Sequence, residues 1–128
     1  MANRILRTLA SNYRTNQQAL EWYAHKDYCT KIGIRQNIIQ DIGKVNFIEY
    51  TLNVGSTVGK GENIAFLEND KSIIAIEAPF DCEVLDIPSN HNLLISNINI
   101  NPECRENSWV INLSNITNND ILYQMAMI

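Results

Sequence analysis

Two short β-rich runs, Asn63–Glu68 and residues 72–78, are separated by only Asn69, Asp70 and Lys71. No other feature limits the fold as sharply. Asn and Asp favour tight turns because their short polar side chains bond neighbouring backbone N–H groups. Between strand-forming residues they predict a β-hairpin with Lys71 at or beside its tip, projecting into water. An exposed hairpin lysine is by itself an ordinary solvated charge. Its meaning depends on what surrounds it.

The rest of the chain continues the pattern. Residues 28–34, 45–50, 82–87 and 109–113 read as further strands, and Gly55, Gly59 and Gly61 mark a turn-rich passage. Within residues 35–42, Ile38, Ile39 and Ile42 share one helical face, with Gly43 as a stop signal; residues 120–128 read as a terminal helix. Short, closely spaced strands with few helices predict a small β-barrel or sandwich. At 128 residues and 45% hydrophobic, the chain has the length of one domain and enough apolar residues for a core.

Charge and cysteine usage exclude several functions. The formal charge is −4, which gives general nucleic-acid binding no electrostatic support. Residues 1–20 contain Arg4, Arg7 and Arg14 and no acid, which leaves −7 on the remainder. Such a basic, acid-free leader suits an organellar import presequence and hence a mitochondrion or related organelle, with a plain tail on a cytoplasmic protein as the alternative. The apolar runs are too short for a transmembrane helix. Cys29, Cys82 and Cys104 are odd in number and form no C-x-x-C pair, and there are two histidines. Reduced thiols and no metal site are therefore expected. Cys82 reads as a small buried hydrophobe, and Trp22 and Trp109 as core. The alternation Asn97-Ile98-Asn99-Ile100-Asn101 reads as a compositional bias. No phosphate loop or hydrolytic triad is present, so no enzymatic motif stands out.

Glu68-Asn69-Asp70-Lys71, with Pro79 eight positions on, resembles the turn of lipoyl domains in which lipoate is joined by an amide to the lysine; biotin domains place methionine on both sides instead. Ile32-Gly33-Ile34, Asp41-Ile42-Gly43, Val45, Phe47-Ile48-Glu49, Val54-Gly55-Ser56-Thr57-Val58, Gly61-Glu62, Ala78-Pro79 and Glu83-Val84 follow in order. With Glu21-Trp22 upstream and Trp109 downstream, the series resembles the H protein family of the glycine cleavage system over roughly residues 20–125.

The resemblance implies a mainly β fold, a lipoyl/biotinyl-type flattened barrel (barrel-sandwich hybrid) of two similar sheets with short flanking helices. With the basic leader or tail taken as 1–20, it implies a lipoyl-type domain at 21–128. It further implies a carrier rather than an enzyme, with lipoate on Lys71. The dithiolane accepts an aminomethyl group from a pyridoxal-phosphate glycine decarboxylase and delivers it to an aminomethyltransferase. Dihydrolipoyl dehydrogenase then removes the electrons. A lipoate-attaching enzyme loads the lysine, with Glu68 and Asp70 as its possible guides, and Glu21 matches an acid that holds the amine of the loaded arm. A monomer without nucleic-acid or membrane partners is expected.

Three positions depart from the family pattern. Ile74-Ala75 stand where the family has Ser-Asp, Pro79-Phe80-Asp81-Cys82 replaces a Pro-x-x-Gly turn, and Asn107-Ser108-Trp109 replaces Gly-Gly-Trp. The alternatives are a lipoyl carrier for another complex, for lipoate relay or for redox signalling, and a non-lipoylated binding module.

Overall fold

The structure, a computed structural model, describes residues 20–115. Apolar runs that do not alternate with polar residues can be accommodated only in strands covered on both faces. The chain from Ile64 to Leu67 and from Ile73 to Ala75 is buried residue by residue, in adjacent antiparallel strands. In chain order the strands are β1 (Glu21–Lys26), β2 (Cys29–Ile34), β3 (Phe47–Tyr50), β4 (Thr57–Val58), β5 (Asn63–Glu68), β6 (Ile73–Glu77), β7 (Cys82–Asp86) and β8 (Ile111–Ser114). Helix α1 (Gln36–Ile42) links β2 to β3, and α2 (His91–Ile100) links β7 to β8.

The strands form a five-stranded sheet, β1-β2-β8-β7-β4, and a three-stranded sheet, β3-β5-β6. The expected pair of similar sheets is thus an unequal pair. The larger sheet gains β1, whose sequence Glu-Trp-Tyr-Ala-His-Lys has no apolar alternation: its buried residues, Glu21 and Trp22, are adjacent and so face opposite sides of the sheet. The core lies between the sheets. Ile48, Leu67, Ile74 and Ile76 of the smaller sheet pack with Ile32, Ile34, Val84, Ile111 and Leu113 of the larger. Each such side chain contributes about 1.5–3 kcal/mol through burial. The Tyr50 hydroxyl donates to the Val110 carbonyl at 2.7 Å, and burial raises the phenol's pKa.

Register assigns the second faces. Phe66, Ile73 and Ala75 point away from the core and form their own buried cluster. On the outer face of the larger sheet, Trp22 lies across Gly33, its neighbour in β2. Trp22 is 5% exposed, donates its indole N–H to the Pro102 carbonyl at 2.8 Å, and carries the Arg105 guanidinium 4.0 Å above its ring. Trp109 is only half-buried, with the Lys31 ammonium 5.1 Å from its ring centre. Trp22 is thus buried, as expected, although on the outer face of the sheet, where its flat ring needs the bare backbone of Gly33 beneath it, whereas Trp109 is not a buried residue.

Helix α2 gives the Asn–Ile alternation a structural role that its compositional reading did not include. Its N-cap Asn90 accepts from the Leu93 N–H at 3.0 Å, and Leu94 and Ile98, one turn apart, are buried. Ile and Asn are mediocre helix formers, so tertiary packing overrides local preference. The strand ends expected at 28, 45, 72, 78, 87, 109 and 113 each shift by one to two residues. The terminal helix expected at 120–128 lies outside the described residues. No helix among the described residues is long and apolar enough to cross a membrane.

Candidate functional site

The hairpin between β5 and β6 carries the candidate site. Glu68 pairs with Ile73 as the last rung, and residues 69–72 make the turn. The Asn69 N–H donates to the Ser72 carbonyl at 2.9 Å. The Asn69 side-chain Oδ1 accepts from the Lys71 N–H at 2.9 Å and the Ser72 N–H at 2.8 Å. This is the turn-stabilising behaviour that makes Asn a turn residue. Its Nδ2 donates outward, to the Ile42 carbonyl at 2.7 Å and the Lys44 carbonyl at 3.2 Å, at the end of α1.

Lys71 is exposed, and its ammonium makes no hydrogen bond or ion pair with the described residues. A primary amine held clear of the body on a two-stranded stem fits covalent attachment of a carboxylic cofactor through an amide. Of the two acids beside it, Asp70 is exposed, whereas Glu68 is 4% exposed and faces away from the core with Phe66 and Ile73. Only Asp70 is thus presented beside the amine. Glu21 lies in the other sheet, buried opposite Ile34, with its Oε2 accepting from the Tyr23 hydroxyl at 3.4 Å. The hairpin therefore unites Glu68, Asp70 and Lys71, while Glu21 belongs to the larger sheet. Cavities of about 490 and 420 Å³ open beside Cys29 and Lys31, and beside Tyr50 and His91. Lys71 lines neither.

The departure at Ile74-Ala75 has a clear structural counterpart. Ile74 is in the core, and Ala75 is fully buried against Phe66 and Ile73. A carboxylate there would lose its hydration among apolar side chains, which raises its pKa and disfavours the charged form. Ala75→Asp is expected to destabilise the fold by about 2–4 kcal/mol near neutral pH, on the scale of a buried polar group without a compensating bond. Because the folded-state pKa of the new acid is raised, the part of the penalty that comes from its charge is absent below the ordinary carboxylate range and grows as pH rises. Thermal unfolding at pH 4 and pH 8 checks this: the deficit relative to the unsubstituted chain should be larger at pH 8.

Cys82 is buried, as its sequence context suggested. Burial, together with the charges of Asp81 and Glu62, pushes its thiol up to about 11 from 9.0. The folded chain therefore keeps a proton that the unfolded chain releases, so this group's stabilisation is complete below pH 9 and lost between pH 9 and 11. At pH 8, iodoacetamide should modify the half-buried Cys29 and Cys104 first, with Cys82 much slower because it is buried and its thiol is held protonated. Peptide mass mapping over time reads this directly.

Two residues given no site role in the sequence help shape the site. Asn69 was read only as a turn former, and Asn99 only as part of the compositional bias. Asn99 Oδ1 accepts from the Val45 N–H and its Nδ2 donates to the Val45 carbonyl, both at 2.8 Å. A signal for the turn role existed in the Asn-Asp pair; none existed for the longer-range bonds. Among the described residues no group of three potential metal ligands comes together.

Comparison with known proteins agrees with this geometry. Residues 12–126 match the family model described as Glycine cleavage H-protein. The chain is 32% identical over 90 residues to the glycine cleavage system H protein of Dinoroseobacter shibae, covering 70% of this chain and 71% of the relative. It is 29% identical over 93 residues to that of Anaeromyxobacter sp. strain K, covering 73% and 70%. The crystal structure of a glycine cleavage system H protein from Mycobacterium marinum superposes with a TM-score of 0.57 at 19% identity, over 83% of this chain and 91% of that one. That likeness shows a shared fold, and the extent of the family match carries the assignment: the chain belongs to the glycine cleavage H-protein family.

Proposed function

We propose that the chain is the lipoate-bearing carrier of a glycine cleavage system, with Lys71 as the attachment residue. The observation that carries this reading is the exposed ammonium of Lys71, which engages none of the described residues, on the β5–β6 turn of a member of the H-protein family. When attached, lipoate supplies a dithiolane that accepts an aminomethyl group and electrons. The protein's own work is mechanical. The paired strands β5 and β6, buried on both faces, fix the root of the arm, and Asp70 gives an attaching enzyme an acidic landmark beside the amine. Amide formation removes a positive charge and takes the formal charge from −4 to −5. The acidic surface then favours encounter with basic docking faces on successive enzymes.

The partners in this reading are glycine decarboxylase, aminomethyltransferase, dihydrolipoyl dehydrogenase and a lipoate-attaching enzyme. The chain acts as a carrier and holds no active site of its own. Its curated relatives are bacterial, which favours a cytoplasmic protein over an imported one. Fusion of residues 1–20 to a reporter tests the point, since organellar import of the reporter contradicts it.

One observation favours a second reading. The apolar burial of Ile74 and Ala75 removes a carboxylate that the family uses for the loaded arm, as suits a lipoyl carrier for another complex. Glycine–bicarbonate exchange with lipoylated protein and the decarboxylase separates the two. Exchange that saturates with carrier and vanishes in Lys71→Arg supports the glycine cleavage role. Lipoylation at Lys71 without exchange supports the second.

A further inference from the structure

We infer that Asn69 is a positioning residue for lipoate attachment, its carboxamide anchoring the Lys71 turn to the end of helix α1. The inference rests on the reading of Lys71 as the attachment residue. One side chain satisfies four backbone groups: two N–H groups of the turn, at Lys71 and Ser72, and two carbonyls, at Ile42 and Lys44. An amide has two donors and an oxygen that accepts twice, so its bonding capacity is fully used. Only this amide orientation meets all four partners, because the reverse would set its oxygen against two carbonyls and its N–H groups against two N–H groups.

The anchor point is itself held. Val45, next to Lys44, is clasped on both its backbone groups by Asn99 of α2. The Asn46 N–H donates to the Glu68 carbonyl at 2.8 Å, tying the same segment to the last rung of the hairpin. Residues 42–46 therefore form a splint between α2 and the turn. Without it, a four-residue turn at the end of two strands could tilt while its own hydrogen bonds stayed intact.

Placement matters because of the attachment step. The neutral Lys71 amine bonds the acyl carbon of an activated lipoyl donor on the attaching enzyme, the leaving group departs with its electron pair, and one proton is released. Such a reaction depends on the attacking atom lying within near-attack distance, and a displacement of about 1 Å can cost roughly a hundred-fold. Side chains at position 69 that cap the turn but cannot reach Ile42 and Lys44 should fold and yet present Lys71 poorly.

The test uses the full chain and its Asn69→Ser and Asn69→Ala variants. Serine can still accept a hydrogen bond within the turn but is too short to span to α1. Initial rates of enzymic lipoylation are read by intact mass, with thermal midpoints recorded alongside. A second readout is chemical acylation of Lys71 by an N-hydroxysuccinimide ester, which needs an accessible amine but no docking geometry. The expected result is at least a ten-fold fall in enzymic kcat/KM for both variants, mainly in kcat, with chemical acylation within two-fold of the unsubstituted chain. Asn69→Ser lipoylated at the full rate overturns the inference, because turn capping then suffices. A parallel fall in chemical acylation also overturns it, because the amine is then hidden rather than misplaced. If the unsubstituted chain is not lipoylated by an enzyme that modifies a control lipoyl domain, the carrier reading itself fails, and the inference with it.

Discussion

Gly33→Ala is expected to unfold the chain at least about 10 °C below the unsubstituted protein, from a loss of roughly 3–5 kcal/mol by overpacking and a broken buried hydrogen bond. The cause is space rather than backbone angle, for Gly33 is not among the positions with positive φ. A methyl group there falls well inside contact distance of Trp22 Cε2 and Cζ2 and 2.5 Å from Nε1. The indole cannot yield cheaply. Its N–H is committed to Pro102, its far face carries Arg105, and the loop beyond Pro102 is tied down by the Ser108 hydroxyl donating to the Asn101 carbonyl at 2.6 Å. Displacing the ring therefore disturbs the loop leading into β8. A double-mutant cycle with Trp22→Leu isolates the effect: in that background Gly33→Ala should cost less than half as much. An equal cost in both backgrounds would show that the clash is not the cause.

The same pair of residues shows how much the sequence reveals. Ile32-Gly33-Ile34 and Glu21-Trp22 were visible as pieces of a family pattern, yet nothing in either says that one ring lies on the other glycine. The hairpin was more legible, because its two determinants are local: strand-forming runs and an Asn-Asp turn. Lys71 accordingly stands on the β5–β6 turn, as expected. Edge strand β1 and helix α2 were not legible. The residues of β1 carry no period because its two buried residues, Glu21 and Trp22, are adjacent and so lie on opposite faces, and α2 is written in Ile and Asn, whose local preferences do not favour a helix. Asn69 shows the boundary within a single side chain: its bonds to Lys71 and Ser72 follow from neighbours, those to Ile42 and Lys44 from tertiary structure.

Lys71→Arg should abolish carrier function while leaving the fold unchanged. The side chain is exposed and engages none of the described residues, so arginine keeps the charge and the solvation at no structural cost. A guanidinium stays protonated at any pH at which the protein is folded and cannot serve as the acyl-accepting amine. Thermal midpoints should therefore agree within about 1 °C, as for surface substitutions in general, while glycine-dependent exchange falls to background. Replacement of Asp70 by Asn should slow attachment without abolishing it, because the amine is retained and only the neighbouring charge is lost.

The most direct measurement of the central claim is the intact mass of the full chain after incubation with lipoate and an active lipoate-attaching enzyme, beside Lys71→Arg. The account predicts one lipoyl increment on the unsubstituted chain, located at Lys71 by peptide mapping, and none on the variant. An unmodified chain under conditions that modify a control lipoyl domain, or an increment that persists in Lys71→Arg, would contradict it.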